Sequence, residues 1–432
     1  VSHTTALQPA RWESLPRLLD GFQPLPGALR AELPDFFVEE LPLYPASGQG
    51  THTYLLAEKT GVSTLQAVHA LASALNVARR DIGFAGMKDA RAVTRQWLSI
   101  EHVPPETVAQ LEIPHLRVLA VARHTNKLRP GHLRGNRFDI KVRQTEPERL
   151  GDVRNALGEL VLRGVPNYFG PQRFGGRGMT WRIGQAMLQK QPEKALDLLL
   201  GSPSPADHGA IRRARKLYDL GKYAEAARLW PGPFRDERRA LRVLARTAGD
   251  ARRAWASVDK RTKLFYLSAY QSFLFNDVLA ERMPLGIDRL WAGDLAWLHA
   301  NGAVFRVVAP AAEQPRADAF EISPTGPLFG YRMSTPSGQA QELEARILGG
   351  QQLPPDAFAA GPLRTKGGRR ALRFRPESAV VELGADERGA YLELRFTLPP
   401  GCYATSLLRE LFREPEQPEK VGEMEGSEES FD

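Results

Sequence analysis

Between Arg173 and Arg253 the chain carries 18 basic and 8 acidic residues, and this surplus of ten positive charges falls on a stretch patterned as short helices. Ala210 to Tyr218, Ala224 to Leu229 and Arg238 to Arg246 each read as one such helix, with no self-similar repeat linking them. They run into Lys263 to Met283, where Phe265, Leu267, Tyr270, Phe273, Leu274 and Leu279 predict a buried helix whose aromatics are core. The flanks are patterned as strands. Upstream, Val38 to Leu41 and Thr51 to Glu58 are strand-like, and Phe138, Ile140 and Val142 alternate with Arg137, Asp139, Lys141 and Arg143. Downstream come two strands, Ala379 to Leu383 and Ala390 to Leu398, the second with Leu392, Leu394, Phe396 and Leu398 on one face. Pro399-Pro-Gly401 stops it, and Thr405 to Arg413 resumes as a helix. A helical block between two strand-bearing flanks predicts a mixed α/β (α+β) fold. At 432 residues, two domains are expected, each large enough to bury a core.

The chemistry concentrates between Gly83 and Ile100. Ser63-Thr-Leu-Gln66 forms a capping box that opens a helix, with Leu65, Val68, Leu71 and Leu75 at helical spacing and an end near Asn76. Gly83 and Gly86 then permit a tight loop, and Val93 to Ile100 reads as a strand. Lys88 and Asp89 therefore stand on a loop between two rigid elements. A carboxylate is an anion at neutral pH, so Asp89 could act as nucleophile or base without a partner to deprotonate it, and an adjacent ammonium would help keep it ionised. A surface Lys-Asp turn is the competing reading of the same dipeptide. Residue type supports Phe36 equally as a strand anchor and as a base contact, whereas the alternation places Phe138 in a core.

The wording around that pair resembles a known signature. Gly86-Met-Lys-Asp-Ala-Arg-Ala-Val-Thr-Arg-Gln96 is similar to that of the TruD family of pseudouridine synthases, which convert a uridine of transfer RNA to its C-glycoside isomer. Four further blocks match in the family's order: Pro34-Asp-Phe-Phe-Val-Glu-Glu40, Gly135-Asn-Arg-Phe138, Pro166-Asn-Tyr-Phe-Gly-Pro-Gln-Arg-Phe-Gly175 and Leu398-Pro-Pro-Gly-Cys-Tyr-Ala-Thr-Ser406. The resemblance implies a pseudouridine-synthase-like, mainly antiparallel sheet with helices, interrupted by an inserted, mainly helical domain. The expected division is a catalytic domain over 1–164 and 311–413, an insertion over 165–310, and an acidic tail over 414–432. By the same resemblance Asp89 is the essential carboxylate, acting at the ribose as nucleophile or as the base that removes the 2′ proton. Phe36, Phe138 and Tyr403 would enclose the base, Asn136 would orient the ring or sugar, and Lys88 would tune the carboxylate and approach a phosphate. Arg30 stands where the family often has lysine, and Tyr403 where it usually has phenylalanine. The implied target is U13 in the D-arm. An isomerisation involves no redox or group-transfer step, so no cofactor is expected.

Composition bears on the partners. Residues 414–432 hold eight acidic residues and one lysine, so the net +8 of the whole chain leaves +15 on residues 1–413, which suits a nucleic-acid partner. Arg212, Arg213 and Arg215 are expected to hold RNA phosphates, the alternative being a solvated helix face. The single cysteine, Cys402, allows no disulfide within the chain, and no Cys/His cluster has zinc spacing. No apolar run is long enough to span a membrane and no secretory pattern opens the chain, so a cytoplasmic location is expected, with a monomer favoured. Two rival functions stand beside the enzyme: a non-catalytic RNA-binding or RNA-folding protein on the same scaffold, favoured if Asp89 lies remote from the aromatics, and a phosphate-dependent enzyme using Gly83 to Lys88 as a phosphate loop. The latter lacks Walker spacing and its Ser/Thr.

Overall fold

The computed structural model describes residues 11–360 and 363–413, which divide into two compact units. Among the described residues the sheet unit comprises 21–161 and 376–413, and the helical unit 11–20 and 162–375. The acidic tail expected over 414–432 lies outside the described residues.

In chain order the sheet unit contains β1 (Phe36–Pro42), β2 (His52–Thr60), helix α1 (Thr64–Ala74), β3 (Ile82–Phe84), β4 (Val93–Glu101), β5 (Leu116–His124), β6 (Leu133–Arg143), β7 (Glu377–Asp386) and β8 (Gly389–Leu398). They form one sheet in the order β7-β8-β6-β1-β4-β2-β5, with β3 added beside β4 and the short strand Ala28–Leu29 beside β6. β1 and β4 are parallel, and the other pairings are antiparallel. The predicted alternation sets the register: Leu392, Leu394, Phe396 and Leu398 lie opposite Val142, Ile140, Phe138 and Asn136. All of these apolar side chains are buried, so two segments far apart in sequence complete one core face.

The capping box forms as predicted, and Val68 and Leu71 pack over Leu55, Leu98 and Ile100. Leu65, expected on the apolar stripe, is exposed, because the buried stripe of α1 passes through Thr64, Ala67, Val68, Leu71 and Ala72 instead. The hydroxyl of Thr64 is used in the site described below.

The helical unit contains α2 (Gly209–Asp219), α3 (Tyr223–Leu229), α4 (Arg235–Arg246), α5 (Ala251–Ser257) and α6 (Lys260–Arg282), the first three at the predicted positions. The buried helix predicted over Lys263 to Met283 is α6, although Phe265 is 43% exposed and stands outside the core. A four-stranded sheet joins Val304–Arg306, Leu295–Leu298, Ile322–Leu328 and Gly368–Ala371. This sheet corrects the expected boundary at 311. Gly368–Ala371 pairs with Ile322–Leu328, and Arg373–Phe374 with Val165–Pro166, so the chain stays in the helical unit until Arg375. Residues 11–20 also belong there.

Burial divides the three arginines expected to hold phosphates. Arg212 and Arg213 are exposed on α2, but Arg215 is buried: it donates to Asp207 Oδ1 at 3.0 Å and to the carbonyls of Leu199 and Gly201, and lies 5.1 Å from the Trp230 ring centroid. It is a structural residue of the unit and not a phosphate contact. Replacing Arg215 with Gln is expected to cost about 1–3 kcal/mol, since the buried Leu199 and Gly201 carbonyls lose this donor while Asp207 keeps Arg177, 3.5 Å away, as its cation. The Arg212→Gln and Arg213→Gln variants should lie within about 0.5 kcal/mol of wild type by chemical denaturation.

Candidate active site

One face of the sheet carries an unusual set of polar side chains. Cross-strand register places Phe36, Val38 and Glu40 of β1 beside Ile140, Phe138 and Asn136 of β6; it places Thr94 and Gln96 of β4 beside Lys59 and Ala57 of β2. Val38 also faces Thr94 across the parallel pair, so all of these residues share a face. Lys59, Glu40, Thr94 and Gln96 are nevertheless almost fully buried there. A buried polar group is costly unless it is bonded, and Glu40, Lys59 and Gln96 bond to the loop that connects β3 to β4, whereas the Thr94 hydroxyl has no hydrogen-bond partner among the described residues.

That loop is pinned along its length. Gln96 Nε2 donates to Gly86 O at 2.9 Å, and the Thr64 hydroxyl donates to Gln96 Oε1 while accepting from the Lys88 backbone N–H, each at 2.9 Å. Lys59 Nζ donates to Val62 O at 2.8 Å and to Asp89 O at 3.2 Å. Lys88 Nζ lies 2.5 Å from Glu40 Oε2 with both side chains buried, and Glu40 Oε1 accepts from the Trp97 backbone N–H. The glycines serve close approach. A Cβ on Gly83, which lies in β3, would meet Leu128 O at 2.4 Å, and one on Gly86 would stand 3.1 Å from Lys88 Nζ; neither has a positive φ.

Pinned in this way, the loop presents the Asp89 carboxylate to Arg30, whose Nη2 donates to Asp89 Oδ2 at 2.6 Å. The same guanidinium lies 4.1 Å from the centroid of the Phe36 ring. Arg30 reaches both from a left-handed backbone conformation, φ 60°, which is uncommon for a non-glycine residue and costs about 1–3 kcal/mol. The Phe36 ring meets Phe138 edge-on with centroids 6.2 Å apart, and Phe138 stacks on Phe396 at 5.3 Å. Asn136 lies on the same face, directly across from Glu40, and its amide oxygen is buried with no hydrogen-bond partner among the described residues. Tyr403 is half-buried at the start of the helix Ala404–Leu411, a short turn beyond Leu398, the strand partner of Asn136.

Asp89, Arg30, Phe36 and Phe138 thus form one contiguous group, with Asn136 next to it through the strand register. Lys88 departs from expectation: its ammonium is committed to Glu40 inside the protein, so it neither faces the Asp89 carboxylate nor reaches outward to a phosphate, and Arg30 supplies the cation at Asp89. For the same reason the loop is no phosphate cradle. Glu40, Lys59, Thr64 and Gln96 were not singled out from the sequence. Their signal was present, since each is a polar residue at an inward position of an otherwise apolar strand or helix stripe.

Two groups have shifted acidities. Burial raises the Glu40 carboxyl, with Lys88 opposing the rise. Burial lowers the Lys59 ammonium to about 8, against the pull of Asp89 and with Lys88 adding to the depression. Lys59 therefore loses its proton more readily folded than unfolded, where its pKa is about 10.4. Between those values the unfolded chain binds more protons, so stability rises with pH from about 8 to about 10.4. In urea denaturation across that range, Lys59→Met is expected to remove this upward slope.

Among the described residues no cluster of three His, Cys, Asp or Glu is arranged to hold a metal, and no helix is long and apolar enough to cross a membrane. Residues 18–411 match the family model described as tRNA pseudouridine synthase D (TruD). The chain is 47% identical over 408 residues to the tRNA pseudouridine synthase D of Geobacter sulfurreducens, covering 94% of this chain and 99% of that protein. It is 46% identical over 393 residues to that of Geobacter metallireducens, with 90% and 95% covered. Its fold is similar to a crystal structure described as that of a tRNA pseudouridine synthase D from Methanosarcina mazei, with a TM-score of 0.77, 27% identity, and 93% and 96% of the two chains covered.

Proposed function

The chain belongs to the TruD family of pseudouridine synthases, and on that premise we propose that it isomerises a uridine of transfer RNA, U13 by resemblance, using Asp89 as the essential carboxylate. The observation that carries this reading is the Arg30 guanidinium, which touches the Asp89 carboxylate on one side and the Phe36 ring on the other. A reactive anion is thereby tied to an aromatic ring that is itself buried beneath the guanidinium, so a flipped base would meet Phe36 only where Arg30 gives way, and the guanidinium is the group that joins the carboxylate to the aromatic face. The target uridine leaves its stack at a cost of a few kcal/mol, offset by ring contacts and phosphate binding. Asp89 then acts at the ribose, as nucleophile at C1′ or as base at the 2′ carbon. The C1′–N1 bond breaks, the uracil turns, C1′ bonds to C5, the C5 proton is lost and N1 gains one, so the composition is unchanged.

Arg30 holds the carboxylate in one orientation, and its flat guanidinium offers a surface beside Phe36. The orphaned amide oxygen of Asn136 suits a donor from the substrate, either uracil N3–H or a ribose hydroxyl. Tyr403 would close the site from the neighbouring turn. A transfer RNA substrate fits a cytoplasmic enzyme. The test is tritium release from transfer RNA labelled at uridine C5, with the product nucleoside mapped by sequencing. Stoichiometric release from position 13 is expected. Absence of release from any position, with the RNA bound, would favour the non-catalytic reading.

A further inference from the structure

The exposed basic surface of the helical unit is not uniform. Some of its arginines have a carboxylate nearby and use it: Arg239 pairs with Asp236 and Arg253 with Asp250. A groove of about 260 Å³ between α3 and α4 departs from this pattern. It is lined by Arg228 of α3 and by Arg238, Arg242 and Arg246 of α4, on a floor that includes Ala227 and Ala245, and its lining contains no acidic residue.

The helix sets the spacing. Arg238, Arg242 and Arg246 follow one another at intervals of four, so they stay on one side of α4 and advance about 6 Å per step. The opposite side of α4 is committed to the core through Ala240, Leu241 and Leu244. The carboxylates of the same helix are turned to other tasks. Asp236 accepts from the Thr262 hydroxyl and the Asp259 backbone N–H, and Glu237 is half-buried with its acidity weakened by burial. No ion pair joins Arg228, Arg238, Arg242 or Arg246 to a carboxylate among the described residues, and Arg238 Nε is buried there without a hydrogen-bond partner. Like charges held on one side of a helix raise the energy of the free protein, and a donor removed from water without an acceptor adds to that cost.

We infer that this groove is a binding site for the sugar–phosphate backbone of the RNA substrate, with Arg228, Arg238, Arg242 and Arg246 as its phosphate contacts. A row of guanidiniums two helical turns long suits several phosphates of one strand better than one small anion, and the alanine floor lets the backbone approach closely. Guanidinium forks match phosphate oxygens, and a polyanion would satisfy the orphaned Arg238 Nε. The site offers alanine and no larger apolar side chain for insertion into a lipid surface. The inference deepens the transfer RNA reading and rests on it for the class of nucleic acid. It also moves the phosphate contacts from the α2 arginines to a groove lined from both α3 and α4.

The test is equilibrium binding of an unmodified transfer RNA transcript to the full chain across a range of salt, which needs no turnover. Each phosphate neutralised contributes about 0.7–0.9 to the slope of log affinity against log salt, so replacing Arg238, Arg242 and Arg246 together with Gln is expected to flatten the slope by about two and weaken binding at least about tenfold at low salt. The triple lysine variant, which keeps the charge, should restore most of the slope. Arg253→Gln, which removes an arginine already paired with Asp250, should leave it unchanged. The inference is overturned if the glutamine variant keeps the wild-type slope, if the lysine variant falls with it, or if wild type does not bind the transcript. Pseudouridine formation is scored separately. A wild type that shows the slope and loses it in the glutamine variant, yet makes no pseudouridine, would sink the catalytic proposal and leave the groove standing.

Discussion

Asp89→Asn is expected to lower pseudouridine formation by at least about ten-thousand-fold while leaving transfer RNA affinity within a few-fold of wild type. The substitution is nearly isosteric and removes only the anion, which phosphate binding does not use and which either route at the ribose requires. The loop should survive it, because the ties that pin the loop run through the backbone: Lys59 donates to the main-chain oxygen of Asp89, and Gln96 and Thr64 hold Gly86 and Lys88. Arg30 would keep a neutral acceptor in the amide oxygen. Single-turnover tritium release compares the two proteins directly, and a variant that retains a measurable burst would remove Asp89 from the mechanism.

The second large effect falls on stability. Lys88→Met should cost about 3–5 kcal/mol, because it leaves the Glu40 carboxylate in the sheet face without its cation. Combining it with Glu40→Gln should recover most of that loss, since an uncharged pair carries no comparable penalty for burial. The pH dependence has a definite sign. Burial already raises the Glu40 carboxyl above its ordinary value, and removing Lys88 takes away the opposing influence. The folded single variant therefore holds a proton that the unfolded chain has released, and its stability falls as pH rises above about 4.5. The double variant should show no such fall in urea titrations. Equal losses in the single and double variants would mean that the side chains matter for packing rather than as an ion pair.

Local pattern was enough to place most of the elements around the site. The capping box at Ser63, the alternation through Phe138 and Val142 and the apolar face from Leu392 to Leu398 are short-range signals, and the helix and strands form where these residues put them. Asp89, Phe36, Asn136 and Phe138 were singled out through the family resemblance of the blocks that hold them, while alternation alone put Phe138 in the core, where it is buried. Partnership was not legible. That Lys88 faces Glu40, that Arg30 joins Asp89 to Phe36, and that Arg215 is buried while Arg212 and Arg213 are exposed all depend on which strands and helices become neighbours. The chain's return to the sheet unit at Pro376 rather than near 311 has the same origin, in the pairing of Gly368–Ala371 with Ile322–Leu328. Periodicity reports which side of an element is apolar, and a polar residue on that side, such as Glu40, Lys59 or Gln96, signals that something must meet it. Only the folded arrangement supplies the partner, because the energy of a buried charge depends on the groups within a few ångströms, and those groups come from distant parts of the chain.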